Sequence, residues 1–304
     1  MKLSVEFPAV AYREGAPAIK NLAIAIERIG FDQLDIFDHV VMGYPAEGRD
    51  SSPYPAKMPI LEAFTFLAYA AAVTERVGLG TEVLVLPQRQ PVLVAKQVST
   101  IDTLSGGRVR LGVGVGWQPS EYEALGQSFH DRGKRMDDCI RVLRTTWSDE
   151  TIDYDFGPYR ANAMGMEPKP PQAGALPIWI GGYSEAAFRR TGALGDGWLA
   201  SRITDKDSAM RGIDTIREYA VKAGRDPDRI GLQSMVAPPP RDEADKRFYM
   251  ESDRVVARAL ELQAMGFEWI ALNATAIFQA GARSVDAIIE RLEELHQSIR
   301  REVS

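Results

Sequence analysis

The chain has 304 residues, 45% of them apolar, which is enough to bury one large core as a single domain spanning residues 1–304. A net charge of −6 without a long basic block argues against a nucleic-acid surface, and the single cysteine, Cys139, excludes an internal disulfide and reads as a buried, inert thiol. Glu6 and Pro8 interrupt any signal-peptide core, and the longest apolar run, Ala63 to Val73, falls short of the roughly 20 residues a membrane span needs, so no membrane association and a cytoplasmic location are expected.

Strand-like and helix-like segments alternate along the whole chain. A strand over Leu3 to Val10 precedes a helix over Ala16 to Ile29, and a strand over Gln33 to Phe37 precedes a helix over Ile60 to Thr74. Strands at Val77 to Leu86 and Val109 to Val115 precede helices at Val92 to Leu104 and Arg132 to Trp147. The second half repeats the pattern: strands at Ile178 to Gly181, Gly197 to Ser201, Ile230 to Val236 and Trp269 to Asn273, with helices at Ser184 to Ala193, Asp205 to Ala223, Glu243 to Met265 and Val285 to Arg301. Eight such units fit a closed (β/α)8 barrel better than an open doubly wound sheet. Two long excursions interrupt it: residues 40–58, rich in Pro and Gly, and residues 148–176, where Tyr154 to Tyr159 reads as a short hairpin. Pro238-Pro239-Pro240 stops the seventh strand.

Gly112, Gly114 and Gly116 alternate with valines, so one face of the fourth strand carries no side chains, which marks close approach by a ligand or another part of the chain. A dinucleotide fingerprint is excluded, because Trp117 stands where G-x-G-x-x-G needs its last glycine. The second strand ends in Asp38-His39, which places a carboxylate and an imidazole at the C-terminal mouth of the barrel, where catalytic groups of this architecture sit; a structural hydrogen-bonding His39 is the competing reading. His130 and His296 read as incidental, and three scattered histidines offer no zinc motif, so no metal site is expected. Thr81 and Glu82 interrupt an apolar strand: either they face the mouth, or Glu82 pairs with an arginine in the barrel wall. Gly181-Gly182-Tyr183-Ser184 precedes a helix and reads either as a phosphate-binding turn or as an ordinary capped start.

Taken in order, Gly30-Phe31-Asp32, Asp38-His39, Gly80 to Val83, Ser105 to Arg108, Leu111 to Trp117, Pro177 to Gly182 and Gly195 to Trp198 resemble the luciferase-like flavin and deazaflavin oxidoreductases, over nearly the whole chain. The resemblance implies a (β/α)8 barrel with insertions and a cofactor ring across its mouth. It implies that the cofactor phosphate lies at Gly181, Gly182, Tyr183 and Ser184, and that Asp38 and His39 contact ring or substrate, His39 giving or taking a proton. Thr81 would hydrogen-bond the ring, Val115 and Gly116 would line it, Ser120 would make a polar contact, and Glu82 would enter a cis peptide beneath it.

Within that family, Asp-His at this strand end points to coenzyme F420, a deazaflavin whose chemistry is two-electron hydride transfer; FMN is the alternative. Relatives that oxidise sugar phosphates have a carboxylate where this chain has Trp117 and a lysine near Thr204, so the resemblance implies instead a more apolar small molecule contacting Trp117, Trp179 and the residue 40–58 loop. Methylene-tetrahydromethanopterin reduction is also unsupported. The resemblance further implies a homodimer. An FMN-dependent monooxygenase with a reductase partner, a barrel that binds flavin without turnover and a metal-dependent hydrolase are the rival readings.

Overall fold

The computed structural model describes residues 1–48, 54–238 and 245–303. In chain order the elements are β1 (Lys2–Glu6), α1 (Ala16–Ile29), β2 (Gln33–Ile36), α2 (Ala63–Val73), β3 (Gly78–Thr81), β4 (Leu84–Val85), α3 (Pro91–Ser105), β5 (Val109–Gly114), α4 (Pro119–Ala124) and α5 (Arg132–Ser148). There follow β6 (Ile152–Phe156), β7 (Tyr159–Met164), β8 (Ile178–Gly181), α6 (Glu185–Leu194), β9 (Gly197–Ala200), α7 (Lys206–Lys222), β10 (Gly231–Met235), α8 (Ser252–Ala264), β11 (Trp269–Asn273), α9 (Ala274–Ala280) and α10 (Val285–Glu302). The order β3-β2-β1-β11-β10-β9-β8-β5-β4, with β3 also pairing to β5, closes a parallel barrel whose third stave is split into β3 and β4. This is the expected (β/α)8 fold. Among the described residues no helix is long and apolar enough to cross a membrane.

Local chemistry explains the boundaries. Leu22, Ala23, Ala25 and Ile26 give α1 its buried face, and Gly30 ends it at φ 103°, a left-handed cap that costs glycine little. Pro91 opens α3, where its missing N–H is harmless, and the Gln90 side chain accepts from the Leu93 N–H. The first strand stops at Glu6 rather than Val10, because Pro8 offers no ladder donor and Ala9–Glu14 turns into a 3-10 helix. Glu62 caps α2, which begins at Ala63 rather than Ile60. The third stave breaks where a cis peptide joins Glu82 and Val83. The hairpin is present as antiparallel β6 and β7. The seventh-unit helix differs most: α8 starts at Ser252, after a 3-10 turn at Phe248–Met250, and the expected start at Glu243 lies outside the described residues. Pro239, Pro240 and residues 49–53 of the 40–58 loop also lie outside them.

The end of the barrel where strands begin, its floor, is plugged by Trp179. A Cβ at Gly197 or Gly231 would lie 2.3 or 2.4 Å from the Trp179 ring, so these glycines exist to admit the indole. The Arg110 guanidinium lies 4.5 Å from the Trp179 centroid and 4.7 Å from that of Trp269, a buried cation held by two aromatic faces, and it pairs with Asp35 at 2.8 Å. The bare face of β5 is likewise taken by the chain itself. A Cβ at Gly112 would meet the Thr81 carbonyl at 1.9 Å, one at Gly114 would meet Val83 at 2.6 Å, and one at Gly116 would meet Val85 at 2.6 Å. Cys139 is fully buried in α5, and burial pushes its thiol up to about 11.

Candidate active site

The strand ends and following loops bring Glu6, Asp38-His39, Glu82, Val115 to Trp117, Gly181 to Ser184 and Asn273 to the opposite end, the mouth. His39 is buried there. Its Nδ1 lies 2.9 Å from Glu121 Oε2, and its Nε2 makes no hydrogen bond among the described residues. The ring meets Trp117 edge-on at 5.4 Å, and Tyr54 stands 6.1 Å from His39 and 6.2 Å from Trp117. Phe37 extends this aromatic wall at 6.4 Å from Tyr54. Trp117 and His39 are therefore brought together, whereas Trp179 is not: it lies at the floor, because its position near the start of its stave points it into the bottom of the barrel.

Asp38 faces away from this wall. Its Oδ1 accepts from Arg89 at 2.7 Å and its Oδ2 from the Val85 N–H at 3.1 Å. Burial nevertheless raises its carboxyl above the usual range, outweighing the Arg89 charge and these hydrogen bonds. Arg89 also binds Glu62 at 3.0 Å, so Asp38 anchors the start of the 40–58 loop to the fourth strand segment and to α2. The Thr81 hydroxyl donates to the Gly112 carbonyl at 2.6 Å, so its proton is committed to the neighbouring stave rather than to a ligand.

Glu82 has no arginine hydrogen bond; Gln233 Nε2 donates to its Oε2 at 3.0 Å. It belongs to a buried layer of acids between floor and mouth with Asp35 and Glu6, the latter accepting from Asn273 at 2.7 Å. Burial, then the charge of Asp35, pushes Glu6 up to about 8 despite Asn273. Burial, then Asp35 and Glu6, raises Glu82 well above its ordinary value against the pull of Arg110 and Gln233. Glu6 thus favours its protonated form near neutrality, and Glu82 is shifted in the same direction. Among the described residues, Glu82 Oε1 and Gln233 Oε1 in this layer have no hydrogen-bond partner, nor do Ser4 Oγ and, toward the floor, Arg110 Nη1.

After β5, the Val115 carbonyl accepts from Tyr122 at 2.6 Å, Gly116 takes φ 65°, and the Ser120 hydroxyl is buried without a partner among the described residues. At the next mouth segment, Ser184 caps α6 by accepting from Ala187 N–H, and no described residue accepts from the N–H groups of Gly182, Tyr183 or Ser184. Gly182 has φ 124° and its carbonyl accepts from Trp198 at 2.8 Å; the Tyr183 hydroxyl meets Ser201 and the Arg202 N–H. Arg189 and Arg190 are turned to Asp137 on α5, so the turn offers an anion its backbone donors rather than these cations.

Sequence reasoning missed Glu121 and Gln118. Gln118 donates to the Val41 carbonyl at 2.8 Å and accepts from the Gly43 N–H at 3.0 Å. The other two histidines lie elsewhere: His296 contacts the Gly30 carbonyl at 3.2 Å and His130 lies beside Phe129. Among the described residues no three His, Cys, Asp or Glu side chains converge to hold a metal ion.

A family model described as luciferase-like monooxygenase matches residues 3–299. A relative of unassigned activity in Mycobacterium tuberculosis is 35% identical over 212 residues, 67% of this chain and 72% of its own length. An F420-dependent glucose-6-phosphate dehydrogenase of Nocardia farcinica is 28% identical over 239 residues, 75% of this chain and 66% of its own. An FMNH(2)-dependent dimethylsulfone monooxygenase of Pseudomonas putida is 28% identical over 265 residues, 86% and 68% respectively.

Proposed function

The chain belongs to the luciferase-like monooxygenase family, and on that premise we propose that it moves hydride between a deazaflavin of the coenzyme F420 class and a small, apolar organic molecule, with His39 handling the accompanying proton. The observation that carries this reading is the setting of His39: buried at the mouth, held at Nδ1 by Glu121, unpartnered at Nε2 among the described residues and walled by Trp117 and Tyr54. Hydride transfer to or from a carbonyl-type carbon leaves one proton to be placed on or taken from oxygen, which is work for an imidazole within reach. A deazaflavin supplies the hydride chemistry when bound. The N–H groups of Gly182, Tyr183 and Ser184 and the Ser120 hydroxyl, all without a partner among the described residues, fit a phosphate-bearing, polar-edged group of that class. Val115 and Gly116, a few residues before Ser120 at the end of β5, would line it.

Relatives divide between F420 and FMNH(2), so the cofactor class is supported by both and its identity rests on His39 as proton carrier. The aromatic wall of Phe37, Tyr54 and Trp117 favours an apolar substrate over a sugar phosphate. Titrating the purified protein separately with the deazaflavin and with FMN tests the choice. Tight deazaflavin binding is expected; micromolar FMN binding without deazaflavin binding would transfer the assignment to an FMN-dependent monooxygenase.

A further inference from the structure

Glu121 belongs to α4, the short helix after the fourth full stave, yet its carboxylate is spent on residues about 80 positions earlier in the chain. Oε2 meets His39 Nδ1 at 2.9 Å, and Oε1 accepts from the Val40 N–H at 2.6 Å. The side chain is fully buried. Burial opposes its ionisation, but the His39 hydrogen bond and charge, with the Val40 N–H, prevail and hold it below the usual carboxylate range. An ionised carboxylate only accepts hydrogen bonds, so the nitrogen facing it must be the one carrying hydrogen. Neutral His39 then has its lone pair on Nε2, and protonated His39 has there an N–H to give. Asp38, the neighbouring carboxyl in the chain, is turned to Arg89 and Val85 and does not compete for the ring.

We propose that Glu121 is a positioning residue for His39, dictating which ring nitrogen carries the proton so that Nε2 is the exchanging atom, while the same carboxylate and Gln118 fasten the 39–43 segment. The proposal rests on the reading of His39 above only for its catalytic consequence. The tautomer itself is a property of the protein alone. The logic is that of the carboxylate behind the histidine in hydrolytic triads, which sets tautomer and orientation without taking the proton.

Nitrogen-15 imidazole spectra of histidine-labelled protein without cofactor test it. The chain has three histidines, so His39→Asn assigns the signal. Wild-type neutral His39 is expected as the Nδ1–H tautomer; an Nε2–H signal overturns the proposal with no further variant. In Glu121→Gln the amide oxygen stays on the Val40 N–H, and the amide nitrogen then donates to Nδ1, so the tautomer should reverse. A Gln variant that keeps the wild-type tautomer also overturns the proposal. Turnover should fall about 100-fold in that variant with cofactor Kd unchanged. If the tautomer reverses while His39→Ala keeps wild-type turnover, the pairing stands and the catalytic reading of His39 falls.

Discussion

Floor and mouth of this barrel treat buried charge in opposite ways. At the floor, Arg110 is matched: Asp35 takes one end at 2.8 Å, and the Trp179 and Trp269 rings cover its faces. Nearer the mouth, Glu6 and Glu82 are pushed toward their neutral forms, and the Nε2 of His39 is left without a hydrogen bond among the described residues. The difference fits a floor arranged for stability and, on the function proposed above, a mouth kept ready for a proton or a ligand. In barrels of this kind, conserved chemistry gathers at the C-terminal ends of strands while the other end supports the fold.

Removing the floor's cation should have the largest effect. Arg110→Ala leaves Asp35 buried without its partner and should cost about 3–5 kcal/mol in urea denaturation; a loss below about 1 kcal/mol would erase the contrast. His39→Ala should invert it, lowering turnover about 100-fold, or about 2.7 kcal/mol in the barrier, while the unfolding midpoint stays close to wild type. A near wild-type rate would remove His39 from the chemistry.

The smallest effect concerns the acid layer. With Glu6 at about 8 in the native state and near its ordinary value when unfolded, the native protein binds the extra proton between those values. Stability from this group is therefore complete at low pH and declines as pH rises toward 8, by at most about 1.4 kcal/mol per unit. Glu6→Gln should flatten the decline when denaturation is compared at pH 6 and pH 7. An unchanged slope would mean that Glu6 is already ionised in the folded protein.

The barrel was legible because strand and helix periods alternate with turn residues at the joins, and Asp38-His39 because it falls at a strand end. Glu121 escaped because α4 has six residues, too few for a periodic face, and because its partner lies 82 positions away. Trp179 misled for a different reason. An inward residue can serve either end of a barrel, and only its place near the start of β8, beside Gly197 on β9, decides for the floor. The paired glycines Gly197 and Gly231, at the starts of adjacent staves, were the signal that something large needed room there. The glycine run of β5 carried a similar message, answered by Thr81, Val83 and Val85 of the adjoining stave.

The aromatic wall has an optical consequence. Of the five tryptophans, Trp117 alone is exposed, at 39%, and it stands against His39, whereas Trp147, Trp179 and Trp198 are buried. Iodide in solution should reach its emission before that of the others, and a molecule settling into the mouth should shield it. The protein thus carries its own fluorescent gauge of occupancy, one that needs no label and no knowledge of the reaction.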